Sequence, residues 1–119
     1  MFINVNLKEK RPLYEQIASG IEEQILLGII KPDEELPSVR NLAVELSINP
    51  NTVQKAYAAL EQKGFIYPVS GRGSFVSDVE KLLPGKREEA LKNFDEAAGN
   101  AIRLGVSRNE LMERLKEAT

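Results

Sequence analysis

Cysteine and histidine are both absent from this 119-residue chain. Without a thiol there is no disulfide and no thiolate nucleophile, and without imidazole the commonest general base is missing. The two absences also remove the usual nitrogen and sulfur ligands of transition metals. A Cys-free chain suits a reducing compartment. No apolar run approaches the roughly 18 residues of a membrane span. The opening MFINVNLKEKRPLYEQ has no apolar stretch behind a basic start, so no secretion signal is expected. The expectation is a soluble cytoplasmic protein with no membrane partner, no metal and no cofactor. Catalysis is not expected: no Ser has a partner base in sight, and Glu22/Glu23 and Glu88/Glu89 look like solvated helix faces.

An excess of positive charge is also lacking, since the net charge is −2. That sum argues against nucleic acid, but the distribution argues for it. Between Leu46 and Ser77 stand three cations, Lys55, Lys63 and Arg72, against one carboxylate, Glu61, which leaves +2. Glu15, Glu22, Glu23, Asp33, Glu34 and Glu35 precede this piece. A small positive face on an acidic body binds DNA locally, with modest non-specific affinity and reliance on base contacts.

The periodicity predicts a mainly α fold with a small β-wing. Phe2, Val5 and Leu7 alternate over too short a stretch to define a strand. Pro12 suits the first turn of a helix in which Leu13, Ile17, Ile21 and Ile25 form a stripe, widened by Tyr14 and Leu26, and Gly28 is its left-handed cap. Ile29 to Glu35 is a connector with a turn at Pro32-Asp33. Ser38 caps a short helix, Val39 to Leu46, burying Val39, Leu42, Ala43 and Leu46. Ser47-Ile48 turns the chain. Asn49 caps a third helix with Pro50 at its first position, burying Val53, Ala56, Tyr57 and Leu60 and closed by Gly64. Phe65 to Val69 and Ser74 to Val76 form a hairpin around Ser70-Gly71-Arg72-Gly73. Beyond Ser77, Pro84-Gly85 is expected to break the chain before a helix from Arg87 to Leu104. Gly105 stops that helix, and Ser107-x-x-Glu110 is a capping box for a last one. The domain reading is residues 1–77 for a winged helix-turn-helix and 78–119 for a two-helix tail.

With its buried face settled, the third helix presents Asn49, Asn51, Thr52, Gln54 and Lys55 near its N-terminus. Asn and Gln donate and accept together, matching the adenine N6/N7 edge; Thr meets phosphate or a thymine methyl, and Lys neutralises phosphate. The helix start adds backbone donors aimed at phosphate. Arg40 sits early in the second helix, where the macrodipole disfavours a cation, so phosphate or a base edge is its expected partner; the competing reading is an ion pair with Glu34 or Glu45. Arg72 between two glycines at the wing tip suits a minor groove or a phosphate, although an ordinary solvated turn has the same sequence. The expected DNA-contacting set is Ser38, Arg40, Asn49, Asn51, Thr52, Gln54, Lys55, Tyr57, Ser70, Gly71, Arg72 and Gly73.

These residues resemble the GntR family of bacterial transcription regulators over Pro12 to Val76. The motifs are Leu36-Pro37-Ser38-Val39-Arg40-x-Leu42-Ala43, Val53-Gln54-Lys55-Ala56-Tyr57-x-x-Leu60-x-x-Lys63-Gly64 and Gly71-Arg72-Gly73-Ser74-Phe75-Val76. The resemblance implies operator contacts by Arg40, by Asn49, Asn51, Thr52 and Gln54, and by Gly71 and Arg72. Some branches carry Arg where this chain has Pro50 and Gln54, which implies an altered operator preference. The chain also departs from the pattern near Asp33 or Glu34, where a second glycine usually follows Gly28; a local change of turn is expected. Asn49-Pro50-Asn51-Thr52-Val53 and the short tail look like the YtrA-type branch, in which the tail serves dimerisation.

An apolar stripe on an isolated helix pair must bury itself against something, and a symmetric twin is the commonest partner. The expected dimerisation residues are Leu91, Phe94, Ala98, Ile102, Leu111 and Leu115; packing on the chain's own first helix is the alternative. The functional expectation is a homodimeric repressor reading an inverted-repeat operator in duplex DNA, with residues about 50–63 in the major groove and 70–73 on the minor groove or backbone. The branch resemblance implies a transporter operon as target. The alternative is a winged-helix protein-interaction module without DNA binding, favoured by the acidic net charge. No small-molecule effector is identified by either reading.

Overall fold

A computed structural model describes residues 3–118. The chain forms two compact units, residues 1–82 and 83–119. The element order is α1 (Leu13–Leu26), α2 (Val39–Leu46), α3 (Pro50–Gln62), β1 (Ile66–Val69), β2 (Gly73–Val76), α4 (Val79–Arg103) and α5 (Arg108–Glu117). This is the mainly helical, winged architecture expected.

In the first unit α3 packs on both α1 and α2. Ile17, Ile21 and Ile25 of α1 meet Leu42 and Ala43 of α2 and Val53, Ala56, Tyr57 and Leu60 of α3 in one buried cluster. The four-residue spacing of the isoleucines keeps them on one helix face. Leu26 is exposed instead of widening that stripe, because one residue beyond Ile25 turns the helix by about 100°. Pro12 is the N-cap and not the first helical residue, its carbonyl accepting from the Glu15 and Gln16 amides. Ser38 and Asn49 cap as expected, their side-chain oxygens accepting from the Asn41 amide at 3.1 Å and the Asn51 amide at 2.8 Å. Ser47 carries the turn between α2 and α3 in the left-handed region, φ 57°.

Phe2 lies outside the described residues. Ile3 and Val5 pack on the core and Leu7 is exposed. Gln16 is the one buried polar side chain among the described residues. Its amide donates to the carbonyls of Asn6 and Arg11, both at 3.0 Å, and accepts from the Asn6 amide at 2.8 Å. A glutamine thus ties the amino-terminal segment to α1, and the backbone of Asn6 and Arg11 satisfies its own buried amide.

The wing pairs antiparallel, Ile66 with Val76 through Val69 with Gly73. The connector beyond α1 is more than a loop. The Asp33 and Leu36 amides donate to the Val76 and Ser74 carbonyls at 2.7 and 2.9 Å, and the Val76 amide donates to Glu34 at 2.9 Å. Residues 33–36 therefore run along the outer edge of the two-stranded sheet, joined to β2 by an isolated bridge from Glu35 to Phe75. No periodicity marks this segment, because Asp33-Glu34-Glu35 is uniformly polar.

One expectation fails at the tail. Pro84-Gly85 does not break the chain; Pro84 lies inside α4, which starts at Val79. Asp78 begins it, its carboxylate accepting from the Glu80 amide at 3.1 Å. Pro84 is the sixth helical residue; it removes the bond its amide would have made to Glu80 and crowds that carbonyl, a local cost within one turn of the helix start. Val79 and Leu82 pack against the core of the first unit, which moves that unit's boundary beyond residue 77. In the second unit Gly105 ends α4 at φ 97°, and Ser107 caps α5 through the Glu110 amide at 3.2 Å.

Candidate nucleic-acid interface

The reader face of α3 follows from its buried face. Val53, Ala56, Tyr57 and Leu60 are within 4 % of complete burial. The helical period then leaves Asn51, Gln54 and Lys55 exposed and Thr52 half-buried, with Asn49 exposed at the cap. Lys55 places its ammonium 4.4 Å from the centre of the Tyr14 ring on α1. Pro12, Leu13 and Tyr14 face Asn51, Thr52 and Lys55 across an open notch of about 390 Å³. The start of α1 thus borders the reader face. The periodicity places Pro12, Leu13 and Tyr14 at the start of α1 and carries no signal for this pairing, because Tyr14 and Lys55 lie on different helices.

Tyr57 does not belong to the contact surface. It is 4 % exposed, and its hydroxyl donates to the Pro37 carbonyl at 2.7 Å. Burial, with a smaller contribution from the Glu45 carboxylate, pushes its phenol well above the ordinary range, so it stays protonated as a donor. An aromatic ring on the apolar stripe of α3 belongs in the core, and its hydroxyl ties the middle of α3 to the residue before the α2 cap.

The start of α3 also lacks the free backbone donors expected of it. Pro50 has no amide proton, the Asn51 amide is taken by the Asn49 side chain, and the Thr52 and Val53 amides reach the Asn49 carbonyl at 3.0 and 3.4 Å. Side chains and the aligned helix dipole remain to meet an anion there.

Ser38 and Arg40 are exposed at the start of α2. Arg40 forms no ion pair among the described residues, neither with Glu34 nor with Glu45. Lys63 is different: it pairs with Glu22 of α1 at 3.7 Å, so part of the local positive charge is spent at the far end of α3. At the wing tip Ser70, Gly71, Arg72 and Gly73 are all exposed. The Arg72 amide closes the turn on the Val69 carbonyl at 2.9 Å, with Gly71 at φ 76° in the position that favours glycine. The Arg72 guanidinium lies 5.4 Å from the Phe75 ring centre. Phe75 stacks on Tyr67, 5.9 Å between centroids, and Tyr67 donates to the Asp33 carboxylate at 2.6 Å.

In the tail, Leu91, Phe94, Ile102 and Leu115 are exposed, and Ala98 and Leu111 half-buried. Phe94, Ala98, Leu111 and Leu115 line one open, mainly apolar groove of about 270 Å³ between α4 and α5. Leu91 and Ile102 do not line it.

Residues 13–76 match the family model described as bacterial regulatory proteins, gntR family. The chain is 39 % identical to the transcriptional repressor YtrA of Bacillus subtilis, over 97 % of its own length and 90 % of that protein's. Among solved structures it resembles YtrA from Sulfolobus acidocaldarius, a GntR-family transcription factor, with 40 % identity, a TM-score of 0.61 and coverage of 76 % of this chain and 97 % of that one. It also resembles the DNA-binding domain of AraR, solved in complex with the operator ORX1, at 28 % identity and a TM-score of 0.58, covering 65 % of this chain and 99 % of that one. No helix among the described residues is long and apolar enough to cross a membrane. A capped helix-turn-helix, a polar reader face and a glycine-flanked wing thus coincide with the matched segment, and the chain belongs to the GntR family as a DNA-binding transcription regulator of the YtrA type, not an enzyme.

Proposed function

We propose that the chain is a homodimeric cytoplasmic repressor that reads an inverted-repeat operator, with α3 in the major groove and the wing tip on the minor groove or backbone. The observation that carries this is the exposed row Asn49, Asn51, Thr52, Gln54 and Lys55, held outward by the burial of Val53, Ala56, Tyr57 and Leu60. Asn51 and Gln54 carry base reading, since an amide pairs bidentately with adenine. Arg40, Lys55 and Arg72 carry phosphate contacts, and Ser38 supplies a hydroxyl donor while its oxygen caps α2. The similarity to a repressor supports repression as the output, and the branch resemblance favours a transporter operon as the target.

The tail supports the dimer. Leu91, Phe94 and Ile102 on α4 and Met112 and Leu115 on α5 stand exposed, and a twin is the simplest surface to cover them. Two reader helices then meet half-sites one DNA turn apart or a multiple of it. Selection of bound sequences from random duplex DNA at near-physiological salt tests the reading. A palindrome with that spacing is expected. Recovery of a single unpaired half-site would refute the symmetric dimer, and recovery of no motif would return the protein-interaction reading.

A further inference from the structure

Asp33 occupies a backbone position with φ 65°, in the left-handed region that glycine enters freely and other residues seldom. It falls where the family resemblance places a glycine. Nothing about the turn requires a carboxylate there. The carboxylate is nevertheless used: it accepts the Tyr67 hydroxyl at 2.6 Å, across a separation of 34 residues.

Tyr67 is the cross-strand partner of Phe75, and the two rings stack at an interplanar angle of 25°. Phe75 in turn carries the Arg72 guanidinium on its face. The hydrogen bond to Asp33 is the main reason the Tyr67 phenol is held above its ordinary range, and the Arg72 charge opposes it. Asp33, Tyr67, Phe75 and Arg72 thus form one contiguous chain from the turn before α2 to the wing tip. A two-stranded hairpin is marginal by itself, and this chain of contacts fastens the face opposite Ile66 and Val76.

We propose that Asp33 is a positioning residue for operator binding: by anchoring Tyr67, it holds the Phe75 ring against which Arg72 is oriented toward the DNA backbone or minor groove. This rests on the reading that the wing tip touches DNA. Asp33 itself touches no DNA; a carboxylate near phosphate would repel it. Its gain is in the ordering of the arginine before binding.

The test compares Asp33→Gly, Asp33→Asn, Tyr67→Phe and Arg72→Ala in the full chain, on the palindromic duplex recovered by selection. Asp33→Gly relieves the left-handed backbone, so its thermal stability is expected to hold or rise. Its operator affinity is expected to fall about two- to tenfold, the cost of ordering one long side chain on binding. Tyr67→Phe behaves the same way. Asp33→Asn, which tolerates the left-handed region and keeps an acceptor oxygen, retains binding. Asp33→Gly in an Arg72→Ala background adds no further loss. If Arg72→Ala weakens binding while Asp33→Gly and Tyr67→Phe do not, the anchoring role is wrong and the wing contact stands. If Arg72→Ala itself has no effect, the wing contact fails and the anchoring role with it. A loss of affinity that tracks a loss of folding stability across the series would also overturn the proposal.

Discussion

Replacing Tyr57 by Phe removes one oxygen from the first unit and leaves the apolar ring in place. That oxygen donates to the Pro37 carbonyl at 2.7 Å, between the middle of α3 and the residue before the α2 cap. A buried hydrogen bond is worth about 1 kcal/mol net, and an acceptor left without a partner costs about 1–3 kcal/mol more if water cannot reach it. Pro37 is half-buried, so water replaces part of the loss and about 1 kcal/mol is expected. For a unit of this size that lowers Tm by roughly 4–8 °C. Thermal unfolding of the full chain, at fixed protein concentration because a dimer's Tm depends on it, measures the shift. The pH dependence gives a second arm. Burial raises the folded phenol above its unfolded value near 10, so the native state keeps a proton that the unfolded chain releases. Stability held below pH 10 therefore falls as pH rises above it, and in Tyr57→Phe this component of the decline is gone. Because the hydroxyl does not reach DNA, the salt dependence of operator binding stays unchanged. A Tm within about 1 °C of the parent, or a changed salt slope, would refute the assignment of Tyr57 to the core.

Three further outcomes are expected. Arg40→Ala and Arg72→Ala each reduce the slope of log K against log salt by about 0.9, one released counterion per lost phosphate contact; an unchanged slope removes that residue from the phosphate set. Leu115→Glu places a charge in the tail groove and shifts sedimentation from dimer to monomer, with operator affinity falling as half-site linkage is lost; a persisting dimer would place the interface elsewhere. Gln54→Arg exchanges an adenine reader for a guanine reader and changes the selected base at one position by about 1–3 kcal/mol; an unaltered selected sequence would mean residue 54 does not reach a base edge.

The elements that carry strong local signals were legible in the sequence. Ser38, Asn49-Pro50 and Ser107-x-x-Glu110 announced helix starts because capping is a short-range hydrogen bond between residues two or three apart. Gly28, Gly64 and Gly105 announced helix ends because positive φ is a property of one residue. The docking of residues 33–36 along β2 was not legible, since their partners lie some 40 residues away and their side chains carry no alternation. Pro84 misled for a related reason. A proline's cost depends on how far it stands from the helix start, and that start is fixed by Asp78 and by the packing of Val79 and Leu82 on the core. In the candidate site, helical phase gave Asn51, Gln54 and Lys55 correctly as surface, whereas the same phase placed Tyr57 inside. The Tyr14 ring under Lys55 and the Asp33 anchor are long-range contacts that no local pattern encodes.

An acidic chain that binds DNA must concentrate its attraction. The net charge is −2, and one of the cations between Leu46 and Ser77, Lys63, is already paired with Glu22. Lys55 and Arg72 are each held on an aromatic ring, and Arg40 forms no ion pair among the described residues. So few cations release few counterions, which keeps non-specific binding weak. On the proposed reading the burden then passes to base edges, and amides that read adenine reward placement more than charge. That accounts for how much of the first unit is spent on rigidity around the contact surface: a capped start to each of α2 and α3, a tyrosine hydroxyl tying the two together, and a wing fastened from Asp33 to Arg72. With little long-range attraction to tolerate misplacement, the proposed reading makes each of these constraints act on specificity through geometry.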